Sequence, residues 1–518
     1  MLASPSALSA RGRACGRLTA AIAVASLQWR TTKLSIHHGR TRLDISSFAF
    51  AGARTGVSGK NLLRFPFSRV RAQSKGAGES SEFASAANIA KNIIGAGAVS
   101  LPIGASHVID EAQSLGLETP YATALVVLIF VAFGSINAVG FYLIGEACAF
   151  TDSSTYQAAW SKTLGKDFAW LPSAACVLCG FLGSVACASV IADTATDLAS
   201  YASGIPYSLL GRDTILCGIA GIILLPLCLL PSLAPLAFAS VLGLLGIVLL
   251  AAVMVIRWLD GSYLLGGSLY DFAAWKPSLF TNPDPSTSFG EVLRDLLVLI
   301  SIISNAFAAH YNAPAYFSEL QYPESRGSTS SIRGVEGKLR SFGTITNAAF
   351  ALVGVLLITI TLSGVGTFGT AAQPFILNNY ASADVLAVLA RVGLLLCVLF
   401  EFPLLERCFR VTAGSVLGVD PSLSAQPLSV FACVALAVGV ACVPDLGLDQ
   451  VNALAGSLGA SLLIYVGPSL MALSIRESRA DVTKPFGSSS ALSVLALRGM
   501  LVIGVFLGLL GAAAALTR

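Results

Sequence analysis

Apolar residues along this chain run in blocks of about twenty, long enough to cross a hydrocarbon core of about 30 Å. Eleven blocks qualify, at about 86–106, 120–148, 170–197, 214–232, 234–256, 292–316, 342–365, 384–404, 427–444, 450–474 and 491–513. They predict an all-α polytopic membrane protein with 11 transmembrane helices. Polar punctuation separates the blocks, as at Leu230-Pro231-Ser232, where so short a turn predicts that spans four and five are antiparallel neighbours.

Two blocks carry polar residues and helix breakers in their middles. The first reads NIAKNIIGAGAVSLP from Asn88 to Pro102, and the sixth reads ISIISNAFAAHYNAPAYFSEL from Ile300 to Leu320. Unpaired backbone groups are not tolerated in lipid, so unwound segments at these places must line a cavity inside the protein. Unwinding at Gly95 to Ala98 would turn free N–H groups of the second half-helix toward an anion and free carbonyls of the first toward a cation. Close helix packing through small residues is the structural alternative for the two glycines. Interrupted helices in the first and sixth positions are what an inverted five-plus-five repeat predicts, with the long 258–291 connection joining the halves and one helix left over.

Composition agrees with the pattern: 55% of residues are hydrophobic and 12% are charged, against about 25% charged in soluble domains. A soluble enzyme, a disordered regulator and a nucleic-acid-binding protein all fit poorly. Net charge is +4, but residues 1–78 hold 13 Lys and Arg and one acid, whereas 79–518 hold 19 bases and 27 acids. Residues 1–83 therefore read as a basic targeting or tail segment with the profile of a plastid or mitochondrial transit peptide, and 84–518 as the transmembrane domain. A basic tail lying on anionic lipid is the alternative. Basic residues also divide between the loops: eleven on the side of the N-terminus, from Lys162 to Lys484, against Arg212 and Lys276 on the other. That asymmetry predicts an N-terminus on the cytosol- or stroma-like side.

Ionisable groups at membrane depth are costly and so are candidates for function. Lys91, His310 and Glu401 stand out, Glu401 being placed near the inner end of span eight. Each has a structural alternative: Lys91 can snorkel to the interface, His310 can pack within span six, and Glu401 can pair with Arg407. Arg391 is expected to bridge to Asp193 or Asp197. Cys176 and Cys179 form a C-x-x-C pair in an apolar helix with no second pair, which reads as packing. No phosphate loop, nucleophile elbow or metal cluster occurs, so the chain does not read as an enzyme.

The stretches NIIGAGAVSLPIG and AAHYNAPAYFSEL, with Asp384, Arg391 and Pro403, and with VPDLGLDQVNALAGSLGASLLIYVGPSLMAL downstream, resemble the signatures of the amino acid/auxin permease family. The sodium-coupled neutral amino acid transporters and their vacuolar and algal relatives are the most similar subgroup. The resemblance covers roughly 84–513. It implies a LeuT-like fold, a free L-amino acid as substrate and alternating access, with a monomer in lipid and no nucleic acid as partner. By position, the backbone of Gly95, Ala96, Gly97 and Ala98 would hold the substrate carboxylate. Ser304 and Asn305 would face the ammonium and side chain, and Asn92 would brace the break. Sodium-coupled members hold the metal with first-helix carbonyls and eighth-helix hydroxyls, the oxygen set a hard cation needs. Here the eighth helix offers Leu396, Cys397, Leu399 and Glu401 instead. Coupling to protons, or no ion coupling, is therefore expected in place of sodium, with Lys91 as a surrogate cation and Glu401 as its partner or as a proton carrier. A slow-turnover amino acid sensor and a permease for a non-amino-acid organic anion are the alternatives. The small residues Ala96, Ala98, Ala306 and Ala308 suggest a roomy pocket.

Overall fold

The computed structural model describes residues 82–230, 236–273, 275–278, 280, 288–320, 332–478 and 494–517. The basic segment lies outside them, as do residues 231–235 of the expected tight turn. The first described helix is α1 (Glu82–Ile93).

Helices follow one another along the chain, with the longest described connection between α7 and α8. After α2 (Leu101–Ser114) come α3 (Thr119–Thr151), α4 (Tyr156–Leu164), α5 (Trp170–Ser203), α6 (Arg212–Ile219) and α7 (Leu236–Asp260). The later helices are α8 (Phe289–Ala306), α9 (Ala313–Glu319), α10 (Ile332–Phe368), α11 (Val385–Val416), α12 (Pro427–Ala441), α13 (Leu448–Leu454), α14 (Gly467–Glu477) and α15 (Val494–Phe506). Among the described residues, eight helices are long and apolar enough to cross a membrane, or nine if the bent pair Ser85–Ile93 and Ala96–Ser114 is one span. Two expected spans are shorter than the rest: α6 with its continuation through Ala220–Leu224 and Leu225–Cys228, and the 15-residue α12. The chain is thus an all-helical, multi-pass integral membrane protein. Apolar side chains left on the outside, such as Leu128, Val131, Val502 and Leu509, face where lipid would be.

Local chemistry sets the helix ends. Ser288 and Glu291 form a reciprocal capping box at the start of α8, satisfying two otherwise unpaired N–H groups. Asp384 caps α11, its carboxylate accepting the Leu386 N–H at 3.0 Å, and Arg257 and Tyr263 complete its shell at 2.5 and 2.9 Å. The expected bridge of Arg391 is present. Its Nε lies 3.1 Å from Asp197, and it donates at 2.9 Å to the carbonyls of Leu377 and Tyr380. Asp193 pairs with Arg212 instead.

Helices approach closely where side chains are absent. A Cβ at Gly246 of α7 would overlap the Gly393 carbonyl of α11, and one at Gly456 would overlap the Ser301 carbonyl of α8. Small residues allow such crossings, and dispersion between the backbones then holds them. The second crossing falls in a π-helical stretch, Ala455–Ala460, followed by another at Leu462–Val466. Widened turns of this kind often mark functional places. Here they carry span ten past the break in span six.

Candidate functional site

Span one breaks at Ile94 and Gly95. Gly95 is extended, with φ −152° and ψ −159°, and a 3₁₀ turn, Ala96–Ser100, then leads into α2. The two halves meet at 52°. The break is therefore tighter than an unwound Gly95 to Ala98, because the backbone re-enters a helix at Ala96. Pro102 suits the first turn of α2, where its missing N–H would have no partner in the helix. Span six breaks after Ala306: Phe307 to Ala309 are non-helical, a 3₁₀ turn covers His310–Asn312, and α9 resumes at Ala313.

A cavity of about 70 Å³ lies between the breaks. Span one gives it Asn92, Gly95, Ala96 and Gly97, and span six gives it Asn305, Ala306, Ala308 and Tyr311. Cys179, Gly183 and Ala186 of α5, Glu401 and Leu405 of α11, and Asn452 of α13 close the wall. Tyr311 and Leu405 share the wall with Ala96, Ala306 and Ala308, and the space is smaller than the roomy pocket that those alanines and Ala98 suggest.

Amides tie the breaks together. Asn305 Nδ2 donates to Asn452 Oδ1 at 2.9 Å, Asn452 Nδ2 to Ser100 Oγ at 2.7 Å, and Ser100 Oγ to the Gly97 carbonyl at 3.2 Å. A second link joins Asn312 Nδ2 to Asn92 Oδ1 at 3.2 Å. Asn92 thus ties the end of α1 to span six, and its Nδ2 is buried without a hydrogen-bond partner.

Glu401 is the ionisable carboxyl in the cavity wall. It sits midway along α11, which continues beyond the expected end of span eight, through Pro403 to Val416. A Cβ at Gly95 would overlap Glu401 Oε1 and lie 2.8 Å from its Cδ, so the absent side chain makes the space the carboxyl occupies. The Ala96 backbone N–H and the buried Cys187 thiol stand beside it. Glu401 Oε2 is buried with no hydrogen-bond partner. The ion pair further along this helix is Glu406 with Arg410, at 2.6 Å.

Other expected site residues fall outside the cavity wall. Ser304 is fully buried and bonds Tyr465 Oη at 2.7 Å and the Ile300 carbonyl at 2.8 Å. Ala98 is buried at 1% exposure behind the break. Lys91 lies in the last turn of α1, half-buried. His310 sets Nε2 2.9 Å from the Asn137 carbonyl, with its ring edge-on to Phe141 and Phe350. Its Nδ1 is buried with no hydrogen-bond partner. Cys176 and Cys179 are free and buried.

Residues not singled out in the sequence complete the site: Asn452, Tyr311 and Leu405 in the wall, and Tyr465 behind it, bonded to Ser304; Cys179, read as packing, also lines the wall. An amide or hydroxyl within an apolar span was the available signal for Asn452 and Tyr465, since such groups find partners on neighbouring helices. Nothing in the sequence distinguishes Leu405 from other leucines.

Residues 78–516 match the family model described as transmembrane amino acid transporter protein. Human sodium-coupled neutral amino acid transporter 7 is 24% identical over 262 residues, 48% of this chain and 49% of that protein. Amino acid transporter AVT6E of Arabidopsis thaliana is 23% identical over 455 residues, 82% of this chain and 83% of that protein. The chain matches about half the length of the human and mouse relatives. Among solved structures, the fold is similar to an Eremococcus coleocola manganese transporter, with TM-score 0.50, 13% identity, and 85% of this chain and 88% of that chain covered. It is likewise similar to Mhp1, a nucleobase-cation-symport-1 family transporter, with TM-score 0.50, 12% identity, and 83% and 90% covered. Both likenesses are to LeuT-like transporter folds. With the family match running through the membrane domain from before the first break to the last helix, the chain belongs to the transmembrane amino acid transporter family, whose members are transporters and not enzymes.

Proposed function

We propose that this protein moves L-amino acids across its membrane by alternating access, holding the substrate between the breaks of spans one and six and coupling its movement to a proton carried by Glu401. The observation that carries the reading is the placement of Glu401, a mid-helix carboxyl of span eight seated against the broken backbone of span one. In sodium-coupled relatives that region would hold a metal among carbonyls and hydroxyls. A carboxyl there has a different use: it can be neutral in one state and charged in the other, which links a proton to the movement of the helices.

The polar groups suit a zwitterion. Asn92 Nδ2 is a buried donor without a partner and Glu401 Oε2 a buried oxygen without one. Leaving such groups unsatisfied costs about 1–3 kcal/mol each, and a substrate carboxylate near the first and an ammonium near the second would recover it. The N–H groups opening the second half of span one add to the carboxylate side. Lys91, one turn before Gly95, biases the inner side of the break toward negative charge without entering the cavity. The same proposal takes eleven spans in a five-plus-five repeat with one extra, a monomer, and an N-terminus on the cytosol- or stroma-like side. It assigns residues 1–83 to targeting, to a plastid or another organelle.

Uptake of labelled amino acids into proteoliposomes, with the sodium and pH gradients imposed separately, tests the reading. Accumulation should follow the pH gradient and be indifferent to sodium, and Glu401→Gln should abolish the pH drive. Strict sodium dependence would overturn the coupling. Saturable binding without counterflow would mark a sensor, and competition by deaminated analogues as strong as by the amino acids would mark an organic-anion permease.

A further inference from the structure

Glu111 and Asp295 are buried acids for which the cavity between the breaks has no use. Glu111 lies near the end of α2 and Asp295 in the second turn of α8. These are the halves of spans one and six that lead away from the face where α1 begins. Each acid is about 15 Å along its helix from the break.

Glu111 is 8% exposed and Asp295 2%, and their side chains are hydrogen-bonded to each other. Asp295 is the ionised member: its oxygens accept from Arg294 at 2.8 and 3.3 Å, and His107 Nδ1 lies 3.7 Å away. Ionised carboxyls only accept hydrogen bonds. The contact between the two acids therefore needs a proton, and Glu111 carries it. Glu111 Oε2 is buried with no partner, so no hydrogen bond would compensate a second negative charge there.

The charged neighbours are His107 and Asp110 on α2, Arg294 and Glu291 on α8, and Asp449 at the start of α13, which packs on both. The adjoining ends of α3 and α10, residues 119–130 and 355–368, contain no charged residue, and Tyr121 of α3 is exposed. His107 and Arg294 are 43% and 35% exposed, so water reaches the rim of the pair.

We propose that Glu111 and Asp295 form a second proton site, separate from Glu401, through which the pH at that face sets the rate of transport; this rests on the alternating-access reading above. With one shared proton the acids tie the far halves of spans one and six together. When Glu111 gives its proton to water at the rim, two carboxylates are left in contact, and like charges so close part or take a proton back. The two half-helices then no longer move as one, and exchange slows. The proton on Glu401 travels with the substrate, whereas the proton on this pair stays at one face.

Two measurements test the proposal. The first is exchange of labelled alanine in proteoliposomes with equal pH inside and out, over roughly pH 6 to 9, a range that takes in documented buried carboxyls. Glu111→Gln keeps a donor for Asp295 but has no proton to lose, and Glu401 is common to both chains. The ratio of variant to native exchange should therefore rise about tenfold across the range, the change that one proton gives per pH unit. The second is the thermal midpoint in detergent, which needs no transport. The folded chain holds a proton that unfolded carboxylates release, so stability is lost as pH rises through the loss of that proton. The native midpoint should drop relative to that of Glu111→Gln over the same range.

Parallel midpoints would overturn the shared proton, and a constant ratio of exchange rates would overturn its control of transport. If Glu111→Gln does not fold, Asp295→Asn, which donates to Glu111 instead, takes its place with the same expectations. Absence of exchange for every amino acid would overturn the transport reading and the rate control with it, while the midpoints would still decide the shared proton.

Discussion

Replacing Gly95 by alanine tests the seat of Glu401 directly. Gly95 has an extended backbone with negative φ, which alanine adopts without strain. The obstacle is contact alone: the new methyl would overlap Glu401 Oε1 and lie 2.8 Å from Cδ. The cheapest relief is to swing the carboxyl away, which forfeits its place beside the Ala96 N–H. A hydrogen bond to a charged group contributes about 1.5–3 kcal/mol, so kcat/KM for proton-driven uptake should fall about ten- to a hundredfold. Glu401→Ala, which removes the proton carrier itself, should lose at least as much, and the two changes should not add. In the Glu401→Ala background Gly95→Ala should cost little more, a coupling within the 0.5–3 kcal/mol seen for residues in contact. Gly97→Ala is the control. Its methyl would lie 3.2 Å from the Ala306 Cα, a backbone atom, so removing Glu401 should not relieve it. Initial uptake rates for the four-member cycle and the control, with thermal midpoints in detergent to check folding, measure this. Strict additivity of Gly95→Ala and Glu401→Ala would refute the contact.

Three further outcomes follow from the polar groups that hold the helices. Arg391→Met strands the buried Asp197 carboxylate and should destabilise by about 3–5 kcal/mol, with Asp197→Asn in the same chain restoring part of the loss; a native thermal midpoint for Arg391→Met would contradict the bridge. Tyr465→Phe removes the hydroxyl between Ser304 and Asn137, but each keeps a backbone acceptor, at Ile300 and Phe133, so the cost should be only about 1 kcal/mol with transport retained. Burial works against the charge of Asp384, yet the Arg257 guanidinium and Tyr263 hydroxyl hold its carboxyl below the usual range. A depressed folded value means stability that is present above the unfolded value of about 3.9 and lost as pH falls through the folded one. The deficit of Asp384→Asn should therefore be full at neutral pH and shrink on acidification, and a deficit independent of pH would argue against the ion pair.

Much of the architecture was legible because lipid imposes a simple code. Apolar blocks of fixed length and glycine or proline at mid-span locate helices and breaks with no knowledge of tertiary structure, and both breaks are where the polar runs from Asn88 and Ile300 place them. The bridge from Arg391 was legible for a related reason: a charge at that depth requires a partner, and two acids one turn apart on span three were the candidates. What could not be read was rotation about a helix axis. Ser304 and Asn305 are adjacent in sequence, but the helix turns one to Tyr465 and the other to the cavity. Ala98 and Lys91 are likewise near the break without lining the cavity. The length of α11 was not legible either, because the apolar block stops at about 404, whereas the helix carries Pro403 and runs on to Val416. Span ten was underrated, since Asn452 and Tyr465 matter only through distant partners that the chain order does not reveal.

The account stands or falls on whether Glu401 couples substrate to protons. The measurement is alanine accumulation in proteoliposomes holding the native protein or Glu401→Gln, under an imposed pH gradient with sodium absent. The native protein should concentrate alanine, and the variant should equilibrate it by exchange without concentrating it. Accumulation by Glu401→Gln equal to that of the native protein would contradict the assignment.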